Sequence, residues 1–105
     1  MTQFAVYRNQ NPETRATFPL LVNVQSDLLG ELHTQVVIPL AKATASSGTV
    51  VRYLMPTVQF EGKAYILMTP ELGAIARRDL GRAVGSLAER RDTIVSALDF
   101  LLSGF

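Results

Sequence analysis

The sequence predicts a mainly β protein: an antiparallel sheet followed by one C-terminal helix. Short apolar runs rich in β-branched residues alternate with turn formers, residues 57–68 carry a hairpin signal, and a helical period takes over from Leu87.

Phe4 and Val6 recur with the period of a half-buried strand, which should end near Tyr7 or Arg8, where Asn9-Gln10-Asn11-Pro12-Glu13 supplies turn residues. Phe18-Pro19-Leu20-Leu21-Val22-Asn23-Val24 reads as a second strand pairing with the first, with Pro19 near its start. Gln35-Val36-Val37-Ile38-Pro39-Leu40 reads as a third strand closed by Pro39. In the Ser26-Asp27-Leu28-Leu29-Gly30 connection the two leucines read most simply as buried loop anchors. Residues 41–48 are small and polar without a period, and Val50-Val51-Arg52-Tyr53-Leu54 resumes strand character as a short accessory strand before Pro56.

Thr57-Val58-Gln59-Phe60, Glu61-Gly62 and Lys63-Ala64-Tyr65-Ile66-Leu67-Met68 form a hairpin pattern, because a two-residue loop containing Gly supplies the positive φ that tight hairpins need. Residues 71–85 are ambiguous. Gly73, Gly81 and Gly85 argue against one continuous helix, each costing roughly 1 kcal/mol against Ala inside one. From Leu87 the pattern is helical: Leu87, Ile94, Leu98 and Leu101 form an apolar stripe that Val95 and Leu102 widen. Ser86 and Glu89 have the spacing of a capping box at its start. Phe100 falls on the polar side, which implies a contact between subunits or a helix covered on more than one face.

A chain of 105 residues, 48% of them hydrophobic, fits one domain over residues 1–105 with a modest core. Ten basic against nine acidic residues leave a net charge of +1, far from the concentrated positive field that nucleic-acid binding uses. Without cysteine there is no disulfide framework, thiolate metal site or cysteine nucleophile. The N-terminal residues lack the basic start and long apolar run of a signal peptide, and no apolar stretch approaches the ~20 residues of a membrane span. A soluble, cytoplasmic protein is expected.

Chemistry is sparse. His33 is the lone histidine, in a polar connection, and reads as a solvated loop residue rather than a ligand or general base. No Gly-rich phosphate loop or nucleophile elbow occurs. Arg77-Arg78-Asp79 and Glu89-Arg90-Arg91-Asp92 mix their charges and read as solvated faces. The residues favour binding over catalysis, with neither cofactor nor metal. The candidate binding feature is the end of the helix, where Asp99-Phe100-Leu101-Leu102-Ser103-Gly104-Phe105 leaves an aromatic ring to be packed onto the fold or presented to a partner. Burying that ring is worth roughly 1.5–3 kcal/mol, enough for an interaction hot spot.

Gln3-Phe4-Ala5-Val6-Tyr7, Val22-Asn23-Val24-Gln25-Ser26-Asp27-Leu28-Leu29, Val37-Ile38-Pro39-Leu40-Ala41, Pro56, Met68-Thr69, and Leu87, Arg90, Ile94 and Ala97 with the closing Gly104 together resemble the CcdB family. The likeness runs in order over nearly the whole chain. These proteins are toxins of plasmid and chromosomal toxin–antitoxin modules. The resemblance implies an SH3-like barrel of the CcdB/MazF/Kid type, with a main antiparallel sheet, a small accessory sheet and a C-terminal helix, assembled as a two-fold homodimer. It further implies that the dimer binds the DNA gyrase protein GyrA and traps the enzyme on cleaved DNA without catalysis of its own. A cognate CcdA-like antitoxin neutralises the toxin, and the pair represses its own operon, reaching operator DNA only as that complex.

Carried over by position, the gyrase-contacting residues are Ser103, Gly104 and Phe105, supported by Leu102 and Asp99 and by Ser26, Leu28 and Leu29. The resemblance puts a disordered antitoxin segment near Tyr7 and Arg8. The best-known members carry Trp where this chain has Ser103, and that indole stacks on a gyrase arginine, a contact worth about 0.5–2 kcal/mol. Phe105 is the residue left to take over part of that stacking, an expectation that fails if Phe105→Ala binds gyrase as tightly as the parent. Two alternatives accompany this reading: a homologue that has lost toxicity and serves as an antitoxin-binding module, and a MazF-like RNA endonuclease built on the same barrel.

Overall fold

A computed structural model describes residues 2–43 and 52–104. The elements in chain order are β1 (Ala5–Arg8), β2 (Leu20–Asn23), β3 (Thr34–Lys42), β4 (Thr57–Phe60), β5 (Lys63–Leu67), β6 (Gly73–Ala76), β7 (Ala83–Ser86) and α1 (Arg91–Ser103). All strand pairs are antiparallel, in the order β4-β5-β3-β2-β1-β7, with β6 on the remaining edge of β3.

β3 is the trunk of the sheet. One side pairs with β2, while the other is shared, Thr34–Val37 with β6 and Leu40–Lys42 with β5. Pro39 sits at the changeover. It does not close the strand as expected, because its carbonyl accepts the Met68 amide at 2.9 Å and its missing N–H falls in the gap between the two partners, where no ladder bond is lost.

The curled sheet and α1 form a mainly β half-barrel with a C-terminal helix, the expected fold class. Its inner face buries Val6, Val22, Ile38, Leu40, Val58, Phe60 and Leu67 against Leu87, Ile94 and Ala97. A smaller cluster of Ala5, Tyr7, Leu21, Val37 and Leu80, flanked by Ile75, covers the opposite face. β1 is therefore buried on both faces rather than half-buried, since the segment after β6 folds back over it.

The hairpin forms as predicted. Glu61 and Gly62 have φ of 49° and 79°, the paired positive values of a type I′ turn, whose twist matches the flanking strands. Arg52–Leu54 lie in a turn rather than an accessory strand. Val50 and Val51 lie outside the described residues. The ambiguous segment resolves into β6, a 3-10 turn at Arg77–Asp79, and β7.

The helix begins later than the capping-box spacing suggests. Leu87 is buried and donates its N–H to the Phe4 carbonyl at 2.8 Å, which holds the chain on the sheet at that point. Ser86 Oγ accepts the Ala88 N–H ahead of a 3-10 turn at Ala88–Arg90 whose N-cap position is Leu87, and α1 starts at Arg91; neither has a side chain at its N-cap that caps it. Ile94 and Ala97 are fully buried, and Val95 and Leu98 pack beside them. Leu102 does not widen the stripe: it is 82% exposed, about 80° round the helix from Ile94. Phe100 is half-buried, with its ring 6.2 Å from that of Tyr53, so the 52–55 turn covers the polar side of the helix at one point.

Candidate functional site

Among the described residues, two regions carry the most exposed leucines. In the first, Ser26 Oγ accepts the Leu28 N–H at 3.1 Å and caps a 3-10 turn at Asp27–Leu29. Asp27 Oδ1 accepts the Gln3 backbone N–H, a link across to the N-terminal strand region. Gln25, almost fully buried, works from beneath: its Oε1 accepts the Val36 N–H, and its Nε2 donates to the carbonyls of Leu29 and Thr34. Leu28 is 94% exposed, and Leu29 and Leu32 are 48% exposed. They are not buried anchors. Hydrogen bonds to the backbone shape this loop, which leaves its apolar side chains free.

The second region is the end of α1. Gly104 adopts φ 78°, the left-handed conformation of a helix C-cap, and donates its N–H to the Phe100 carbonyl at 2.8 Å. Asp99, Leu102 and Ser103 are exposed on the last turn. Ser103 Oγ donates to the Asp99 carbonyl at 2.7 Å, so its hydroxyl is turned back onto its own helix. Phe105 lies outside the described residues.

Within one chain these regions sit apart. Gln3 Oε1 accepts from the Arg91 guanidinium at 3.3 Å, tying the leucine loop to the start of α1, while Leu102–Gly104 lie at the far end of a helix roughly 20 Å long. Ser26, Leu28 and Leu29 thus form one patch, and Asp99, Leu102, Ser103 and Gly104 another.

A family model described as CcdB protein matches residues 3–104. The chain belongs to the CcdB family. Membership places it, at family level, in the context of toxin–antitoxin modules and gyrase poisons.

Of the two residues that the CcdB likeness assigns to the antitoxin, Tyr7 is a core side chain and Arg8 is exposed. Burial pushes the Tyr7 hydroxyl pKa above its usual 10.0, and the nearby Arg77 guanidinium partly opposes that rise. Arg8 lines an open hollow with Arg15 and Asn9.

His33 is exposed, as expected of a loop histidine, and its carbonyl accepts the Arg77 N–H. Among the described residues no three His, Cys, Asp or Glu side chains are grouped to hold a metal, and no helix is long and apolar enough to cross a membrane.

Arg77 departs from its solvated-face reading, whereas Arg91 is exposed as that reading expects and still makes local contacts. The Arg77 side chain reaches the carbonyls of Gly30 and Leu32, and the Arg91 guanidinium lies 5.6 Å from the Phe4 ring centroid. Sequence reasoning also missed Leu32, although an apolar residue two positions past Gly30 in a polar connection was a usable signal. Arg77 had none, because its partners lie 45 and 47 residues away.

Proposed function

We propose that this CcdB-family protein is the toxin of a type II toxin–antitoxin module, a homodimer that binds the DNA gyrase protein GyrA and traps the enzyme on cleaved DNA. It acts by binding and not by catalysis, in the cytoplasm where gyrase works. A CcdA-like antitoxin neutralises it, and the two together repress their operon. The observation that carries this reading, beside the family, is the exposure of Leu28 and Leu102, at 94% and 82% the most exposed leucines among the described residues. Leu28 beside Leu29 and Leu32 makes an exposed apolar patch on a hydrogen-bonded loop, and Leu102 stands on the capped end of a helix. Both suit anchors for a partner. Two-fold pairing of the toxin would present each patch twice, matching a two-fold gyrase dimer. Ser103, Gly104, Phe105, Leu102 and Asp99 are the proposed tip contacts, and Ser26, Leu28 and Leu29 the supporting ones.

The test is gyrase-dependent DNA cleavage with the full chain beside a version lacking Ser103, Gly104 and Phe105. Cleaved DNA with the first and none with the second is the expected result. A second reading, a non-toxic homologue that binds antitoxin only, is favoured by one observation: the Ser103 hydroxyl is turned back to the Asp99 carbonyl and offers no stacking surface. No cleavage with either version of a folded protein would select it.

A further inference from the structure

We infer that Arg77 is a positioning residue for the leucine loop, holding Leu28, Leu29 and Leu32 in the arrangement a partner meets. The inference rests on the gyrase-binding reading above and extends it to a side chain outside the proposed contacts.

The loop buries none of its leucines fully, since Leu28 faces solvent and Leu29 and Leu32 are each half exposed. Its shape therefore depends on polar ties, and these come from two sides. Gln25 takes the carbonyls of Leu29 and Thr34. Arg77 takes those between them: its Nη1 donates to the Gly30 carbonyl at 2.5 Å and lies 3.5 Å from the Leu32 carbonyl, while its backbone N–H donates to the His33 carbonyl at 2.8 Å.

The donor stands on a rigid base. Arg77 directly follows β6, which pairs with Thr34–Val37 of β3, the strand that the loop leads into. Leu80, at the end of the same turn, is buried in the outer cluster with Tyr7, so the turn carrying the guanidinium is fixed at both ends. A charged donor gives stronger hydrogen bonds than a neutral one, and a planar guanidinium suits neighbouring carbonyls where an ammonium is a single point. Without it, the Gly30 and Leu32 carbonyls turn to water and the loop samples other shapes. Apparent affinity then falls with the fraction of molecules still in the competent shape.

The test compares the parent with Arg77→Gln and Arg77→Lys, each alone and combined with Leu28→Ala. Amide hydrogen exchange is read at Leu29, Gly30 and Leu32 and, as a control, at Val22 and Leu40 in the core. Binding to a GyrA fragment is measured on the same samples.

For Arg77→Gln, loop exchange about tenfold faster with unchanged core exchange, and gyrase affinity about tenfold weaker, is expected. Arg77→Lys should recover part of both. In the Leu28→Ala background the Arg77→Gln loss should shrink, because the residue acts through the leucines. Unchanged loop exchange, an affinity equal to the parent's, a loss that adds fully to Leu28→Ala, or equal acceleration in loop and core would each overturn the positioning role. A parent that is folded and does not bind gyrase would overturn the proposed function and this role with it, a failure visible before any substitution is made.

Discussion

The leucine loop and the tip of α1 both hold apolar side chains out in water, and they do so by opposite means. The tip inherits its position: Ile94 and Ala97 are buried, the helix is continuous, and Gly104 closes it, so Leu102 stays exposed because of where it falls on the wheel. The loop is held side chain by side chain, from Gln25 beneath, Asp27 toward Gln3, and Arg77 from the turn after β6. A secondary-structure element positions a residue through its repeat, whereas a loop needs donors from distant parts of the chain. The tip should therefore respond to changes in packing, and the loop to the loss of single hydrogen bonds.

The largest expected effect is at the base of the tip. Ile94→Ala should lower unfolding free energy by about 2–5 kcal/mol in a denaturant titration, because it opens a cavity where the helix meets the sheet. A loss of under about 1 kcal/mol would mean that the helix is not seated as described.

Gln25→Ala comes next and strikes the loop. It leaves the Val36 amide and the Leu29 and Thr34 carbonyls without their partner, at a cost of about 1–3 kcal/mol. Loop amides should exchange faster than in the parent while those of Leu101 and Leu102 stay the same. Equal acceleration at both places would dissolve the contrast between the regions.

Gly104→Ala should cost about 1 kcal/mol, since Ala is strained at φ 78° although nothing crowds the added methyl. The loosening should be confined to the last turn of α1, read by hydrogen exchange there, with the loop unaffected.

Leu28→Ser and Leu102→Ser should each change stability by less than about 0.5 kcal/mol, because both side chains are already in water. Gyrase-fragment binding should weaken in both. A large drop in melting temperature would mean that these leucines pack after all.

Smallest at neutral pH is Tyr7→Phe. In the folded protein Tyr7 holds its proton above the usual 10.0, so it contributes fully below that pH, and the contribution fades as pH rises through the raised value. Melting temperatures taken from about pH 9 to about pH 11 should fall less for Tyr7→Phe than for the parent. Matching slopes would mean that Tyr7 ionises as freely folded as unfolded.

Much of this molecule is legible in its residues. The hairpin follows from Glu61-Gly62 between two apolar runs, the central strands from the runs around Val22 and Ile38, and the helix from the spacing of Ile94, Leu98 and Leu101. Each of these signals is local. β6 and β7 escape such reading because Gly73-Ala74-Ile75-Ala76 and Ala83-Val84-Gly85-Ser86 have no strand pattern of their own. Pairing with β3 and β1 makes them strands. Pro39 misled for the same reason: whether a proline ends a strand depends on which neighbour needs its N–H, and only the branching of β3 settles that.

The candidate site divides along the same line. By itself the sequence determined family membership, the chemistry of the tip and loop residues, and the absence of Trp at position 103, since these need only residue identity in order. The tertiary structure decided that Leu28, Leu29 and Leu102 are exposed rather than buried, that Tyr7 belongs to the core, and that Arg77 reaches back to the loop. Those outcomes depend on which surfaces meet after the chain has curled, and contacts between residues more than forty positions apart leave no trace in the local pattern of either partner.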